Sequence, residues 1–127
     1  MAADIPITVV TGPEILSGST RLKAGTAAKM VLNMLSTAVM VLKGKCYRNL
    51  MVDMSASNKK LRDRSIRMIM KACSVSRPEA EGLLEASKGS IKAAIVMHEA
   101  GAGCDEAEKA LLETGGFTRR AISLLKG

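Results

Sequence analysis

The chain has 127 residues, 47% of them apolar and 24% charged, the size and make-up of one ordinary globular domain, which excludes a disordered tail. Nineteen Lys and Arg against twelve Asp and Glu give a formal charge of +7. One Phe, one Tyr and no Trp leave the core to aliphatic side chains and nine methionines, and they exclude the aromatic platforms of single-strand and RNA readers.

The opening MAADIPITVV has no basic stretch followed by an apolar one, so no secretion signal is visible. Ile5 to Val10, closed by Thr11-Gly12-Pro13, reads as a strand over residues 5–11. A lone strand has two unpaired edges, and the rest of the chain offers no convincing partner. The segment is therefore expected to borrow a sheet from another chain or to belong to something larger.

Residues 12–26 form a polar, glycine-bearing loop. Small residues let the backbone approach a ligand closely, hydroxyls and N–H groups donate at a helix start, and Arg21 and Lys23 add positive charge, which suits a phosphate or carboxylate. The G-x-x-x-x-G-K-[ST] spacing of a P-loop is absent. On the residues alone, an anion site and a plain capped loop stand level.

Met30 to Leu42 is the longest apolar run. Its thirteen residues are too few for a bilayer, which needs about twenty, and predict a helix to about residue 43 that is buried on most of its circumference. Gly44 to Ser57 reads as an irregular connection. From Asn58 to Cys73 apolar residues recur at helical spacing, with Lys59, Lys60, Arg62, Arg64, Arg67 and Lys71 between them, giving a basic amphipathic helix. Such a helix suits a nucleic-acid backbone or an anionic membrane, but more often such a run is a solvated face or faces an acidic neighbour; base-reading partners and aromatic membrane anchors are lacking. Cys46, Cys73 and Cys104 form neither a disulfide framework nor a zinc site and read as reduced, small apolar residues.

The last fifty residues repeat. Glu79 to Glu85, Gly89 and Ala94-Ile95 align with Glu106 to Leu112, Gly116 and Ala121-Ile122 at a constant offset of 27 residues, giving two helix-turn-helix units over 76–100 and 103–126. Ser76-Arg77-Pro78-Glu79 opens the first unit as a capping box, and Gly89 and Gly115-Gly116 suit left-handed C-caps. Leu83, Leu84, Ile91, Ile95, Leu111, Leu112, Ile122 and Leu125 supply a small core. The eight acids after Pro78 read as a solvated face, and His98 as a surface histidine without a role.

The run from Gly12-Pro13-Glu14 through Arg21-Leu22-Lys23 to Lys29 resembles the signature shared by bacterial N-acetylmuramic acid 6-phosphate etherases and glucokinase regulatory proteins. The likeness continues through Asn33–Thr37, Asn49–Asp53, Ala56–Leu61 and Gly115–Ala121, with the etherases nearer. It implies the C-terminal half of a longer cytoplasmic enzyme, with a mainly α fold. A strand and long helix left from a sugar isomerase-type α/β domain occupy residues 1–57, and a helical domain with a ubiquitin-associated-like repeat occupies 58–127. Met1 joined directly to Ala2-Ala3-Asp4 in mid-domain fits a truncated start.

The reaction implied removes D-lactate from N-acetylmuramic acid 6-phosphate during peptidoglycan recycling, with no cofactor and no metal. The glutamates usually given the acid and base roles fall in the absent half, so no catalytic residue is expected here. The resemblance makes Glu14, Ser17, Gly18, Ser19, Thr20, Arg21, Lys23 and Thr26 substrate-binding wall. Ser19, Thr20 and Lys23 are expected to donate to the phosphate or lactyl carboxylate, and Glu14 to bond the sugar or orient Arg21. The partner expected is the sugar phosphate, with a homodimer or other self-association, no membrane, and nucleic acid disfavoured. The alternative is a non-catalytic protein-interaction or sugar-phosphate-sensing module.

Overall fold

The computed structural model describes residues 4–54 and 57–127. Along them run α1 (Lys23–Leu42), β1 (Cys46–Tyr47), β2 (Leu50–Met51), α2 (Lys59–Cys73), α3 (Arg77–Ala86), α4 (Ile91–Ala100), α5 (Cys104–Glu113) and α6 (Thr118–Lys126). The architecture is mainly α, as expected. It divides into two compact units, residues 1–39 and 40–127. That division lies near the end of α1, not after Ser57, because the hairpin packs with the helices that follow it: Tyr47 and Val52 are buried in their core.

In the first unit the strand expected over residues 5–11 does not form; residues 6–14 carry no regular structure. No other segment among the described residues offers them a ladder, and a strand without a partner has no hydrogen bonds to hold it. Helix α1 starts at Lys23, inside the segment expected to be loop. The expected burial is also absent, since no residue of α1 is buried. Met30, Leu32, Met34, Leu35, Val39, Val41 and Leu42 stand exposed. With 20 residues, α1 is long and apolar enough to cross a membrane by length and composition, so the thirteen-residue count does not exclude a span.

In the second unit, the stretch read as an irregular connection contains an antiparallel hairpin pairing Cys46 with Met51 and Tyr47 with Leu50. Its two-residue loop puts Arg48 at φ 53°, the positive value that matches the twist of a tight hairpin. Ser55-Ala56 of that connection, and with them part of the Ala56–Leu61 likeness, lie outside the described residues. Asn58 caps α2, its Oδ1 accepting from Leu61 N at 2.9 Å.

The offset of 27 appears in three dimensions. Helix α3 begins 27 residues before α5, and α4 begins 27 before α6. Glu79 accepts from Ser76 N at 2.8 Å and Glu106 from Gly103 N at 2.9 Å, so the same carboxylate closes both helix starts. Gly89 and Gly116 hold equivalent positive φ values of 86° and 82°.

Helix α4 is the centre of the unit. Ile91, Ala94 and Ile95 join Ile66, Ile69 and Leu84 in one cluster, while Ala93 and Val96 meet Ala107, Ala110, Leu111 and Ala121 in another. Leu112, expected in the core, is 83% exposed. Ala107, Ala110 and Leu111 set the inward stripe of α5, and a residue one step beyond Leu111 is turned about 100° away from it.

Candidate functional site

Loop 12–22 is folded by its own backbone. Gly12 and Gly18 take φ values of 69° and 83°, which a β-carbon disfavours, and Ser19 N donates to Leu16 O at 3.0 Å. Leu22 N reaches Ser19 O at 3.3 Å, and Gly25 N reaches Thr20 O at 2.9 Å, joining loop to helix.

The start of α1 has no acidic residue in its first turn. Glu14 supplies the missing negative charge from nine residues upstream. Its two carboxylate oxygens accept from Lys23 N at 2.9 Å and Ala24 N at 3.0 Å. These donations, Ala24 first and Lys23 second, hold the Glu14 carboxyl below its ordinary pKa, against a smaller opposing push from burial. Lys23 Nζ donates to Pro13 O at 2.9 Å, tying the loop down from the other side.

Glu14 thus caps α1, since the free N–H groups of a helix start attract a nearby carboxylate, and the helix N-terminus already carries the chain's own anion. Lys23 Nζ commits one of its three donors to Pro13 O.

An open groove of about 660 Å³ runs beside this corner, lined by Thr11, Arg21, Leu22, Lys23, Thr26, Ala27 and Met30. Arg21, Lys23 and Thr26 thus meet on one surface, while Ser17, Gly18, Ser19 and Thr20 lie in the adjoining turn and do not line it. Among the described residues the Arg21 guanidinium has one long contact, Nε to Ser19 Oγ at 3.4 Å, and is exposed. Thr11, Leu22, Ala27 and Met30 are not among the site residues that the sequence suggests. The last three follow a helical spacing with Lys23 and Thr26, the one signal that could have found them.

Elsewhere, Cys104, Asp105 and Glu108 bring possible ligand atoms within 4.8 Å of one another. Lys88 Nζ already sits 3.4 Å from Asp105 and 4.0 Å from Glu108, supplying positive charge there. Of the acids after Pro78, Glu79 and Glu106 are caps, and Glu81, Glu85 and Glu99 pair with Arg77, Arg62 and Arg48. His98 is exposed in the last turn of α4.

No family model matches the chain. Its sequence is 53% identical over 121 residues to an N-acetylmuramic acid 6-phosphate etherase of Rhizobium rhizogenes, covering 95% of this chain and 39% of that protein. The etherase of Geobacillus thermodenitrificans is 52% identical over 120 residues, 94% of this chain and 41% of its own length. That of Staphylococcus aureus is 48% identical over 120 residues, 94% of this chain and 40% of its own length. The chain therefore spans about two fifths of the length of the curated relatives it matches. Over almost all of its own residues it is homologous to the N-acetylmuramic acid 6-phosphate etherases, as the Gly12–Lys29 and Gly115–Ala121 runs led one to expect.

Proposed function

We propose that the chain is the C-terminal portion of a cytoplasmic carbon–oxygen lyase that converts N-acetylmuramic acid 6-phosphate to N-acetylglucosamine 6-phosphate and D-lactate. The observation that carries this reading is the 52–53% identity to proteins of that name over 94–95% of the chain. In the reaction a base takes the proton at C2, the ether bond breaks with protonation of the departing lactyl oxygen, and water adds back to the sugar. No carboxylate on the groove is free for either proton transfer, because Glu14 holds the start of α1. This chain alone is inactive, and the acid and base come from the part of the enzyme outside it.

Its contribution is a wall of the substrate site. Arg21 and Thr26, on the groove, reach the phosphate or the lactyl carboxylate, with Ser17, Gly18, Ser19 and Thr20 shaping the turn beside them. Glu14 and Lys23 act by fixing that turn against α1 rather than by touching the sugar. Residues 5–11 become a strand when the rest of an α/β domain supplies its neighbours, and the exposed apolar length of α1 is covered by that sheet or by a second subunit of a dimer. Contiguous apolar surface of this extent seldom stays in water. The paired helix-turn-helix units form a ubiquitin-associated-like domain that docks on the enzyme.

A coupled assay for D-lactate, run on this chain alone and after mixing with a separately expressed N-terminal part of a related etherase, tests the reading. Activity only on mixing is the expected result. Silence from a mixture that demonstrably associates would overturn it in favour of a non-catalytic docking or sensing module.

A further inference from the structure

Helix α2 breaks two local rules of helix electrostatics. Lys59 and Lys60 occupy its first turn, where the helix dipole disfavours cations, and no acidic residue stands there. Lys60, Arg64, Arg67 and Lys71 then recur at i, i+4, i+7 and i+11, so that like charges stack as neighbours, which destabilises a helix. At 100° per residue the four fall within an arc of about 60° and a length of about 16 Å. Of the buried side chains, Ser65, Ile66, Ile69, Ala72 and Cys73 lie on the opposite side, and Met68 lies beside the stripe. All four cations are exposed.

The molecule relieves little of this repulsion. Asp63 pairs with Arg67 and also with Arg77, while Arg62, off the stripe, pairs with Glu85. Among the described residues Lys60, Arg64 and Lys71 have no ion pair. A concavity of about 530 Å³ opens between Asn58, Lys60, Leu61, Asp63, Arg64 and Arg67. Three exposed cations without an ion pair on one helix face, kept at a cost to that helix, are what an anionic partner would relieve.

The width of the row selects the partner. Asp63, paired with Arg67 of the stripe and with Arg77 of α3, flanks one edge, so a nucleic-acid duplex laid across the stripe would meet a carboxylate. No aromatic side chain stands on this face to stack a base: Tyr47 is buried and Phe117 lies at the start of α6. We propose that the Lys60–Arg64–Arg67–Lys71 face docks a carboxylate-bearing protein segment, a narrow acidic helix whose side chains match the helical spacing of the cations. This stands apart from the etherase reading, which rests on the groove beside α1.

The test uses the whole chain and a labelled helical peptide with Glu at i, i+4, i+7 and i+11, read by fluorescence anisotropy. Binding is expected at low salt, with at least a tenfold loss between about 50 and 300 mM NaCl as the charges are screened. Joint replacement K60E, R64E and K71E should weaken binding at least tenfold, and the milder K60Q, R64Q and K71Q set should weaken it less. R119E on α6 should leave it unchanged. No binding at low salt, equal loss with R119E, or tighter binding of a 20-nucleotide DNA duplex than of the peptide would each overturn the proposal.

Discussion

A β-carbon placed on Gly44 would lie 3.1 Å from both the carbonyl carbon and the oxygen of Gly116. The same atom would sit 3.1 Å from Cδ2 of Phe117. Gly44, two residues before the hairpin, is thus pressed against the turn between α5 and α6, and both glycines have positive φ, 64° and 82°. Gly44→Ala meets backbone it cannot push aside and adds left-handed strain, for an expected loss of about 1–3 kcal/mol or more in a urea titration of the chain. Gly89→Ala, at φ 86° with nothing within 4 Å of the new carbon, isolates the strain alone and should cost less.

Acidification should loosen the start of α1. The Glu14 carboxyl sits below its ordinary pKa because Ala24 and Lys23 donate backbone N–H groups to it. A carboxyl lowered on folding adds stability that is complete above the unfolded value, near pH 4, and is lost as pH falls through the lowered folded value. Amide exchange at Lys23 and Ala24 should therefore accelerate relative to mid-helix amides below about pH 4. Glu14→Ala should show the fast exchange at neutral pH, with the acid dependence gone. Unchanged protection in that variant would mean that the cap does not hold the helix.

The three cysteines should differ in reactivity. Burial first, and then the nearby Glu99 carboxylate, push the Cys73 thiol up to about 11, with Arg48 opposing. Cys73 is buried, whereas Cys46 and Cys104 are partly exposed. The thiolate is the reacting species, so a maleimide at pH 8 should label Cys46 and Cys104 at once and Cys73 only in denaturant. Mass mapping of the labelled peptides reads this directly.

Two threonines near the second repeat's turn should respond oppositely to valine. Thr114 Oγ1 donates to Ala110 O at 2.7 Å, whereas Thr118 Oγ1 is buried without a hydrogen-bond partner among the described residues. Thr118→Val keeps the shape and removes an unsatisfied polar atom, for an expected gain of about 1 kcal/mol; Thr114→Val loses a bond and should cost about the same. Thermal midpoints of the two variants relative to the parent check the signs.

The sequence by itself determined the helices of the second unit and their repeat. Capping residues, glycine C-caps and apolar spacing are local signals, and each acts within a turn or two of where it is written; Ser76 with Glu79, Asn58 before α2, and Gly89 with Gly116 all work at that range. The likeness to the etherases was legible for the same reason, as a run of side chains in order.

Only the tertiary structure decided what Glu14 does, because its partners at Lys23 and Ala24 are brought to it by the fold of loop 12–22 and not by any periodicity. It also decided that Gly44 must be small, that Arg48 reaches the Ala72 carbonyl at the end of α2 at 3.2 Å, and that Leu112 faces solvent while Leu111 does not. Residues 5–11 and α1 show the limit from the other side. Their apolar character was plain in the sequence, but a strand needs a neighbour's N–H and C=O groups and an apolar face needs a cover, and the described residues supply neither.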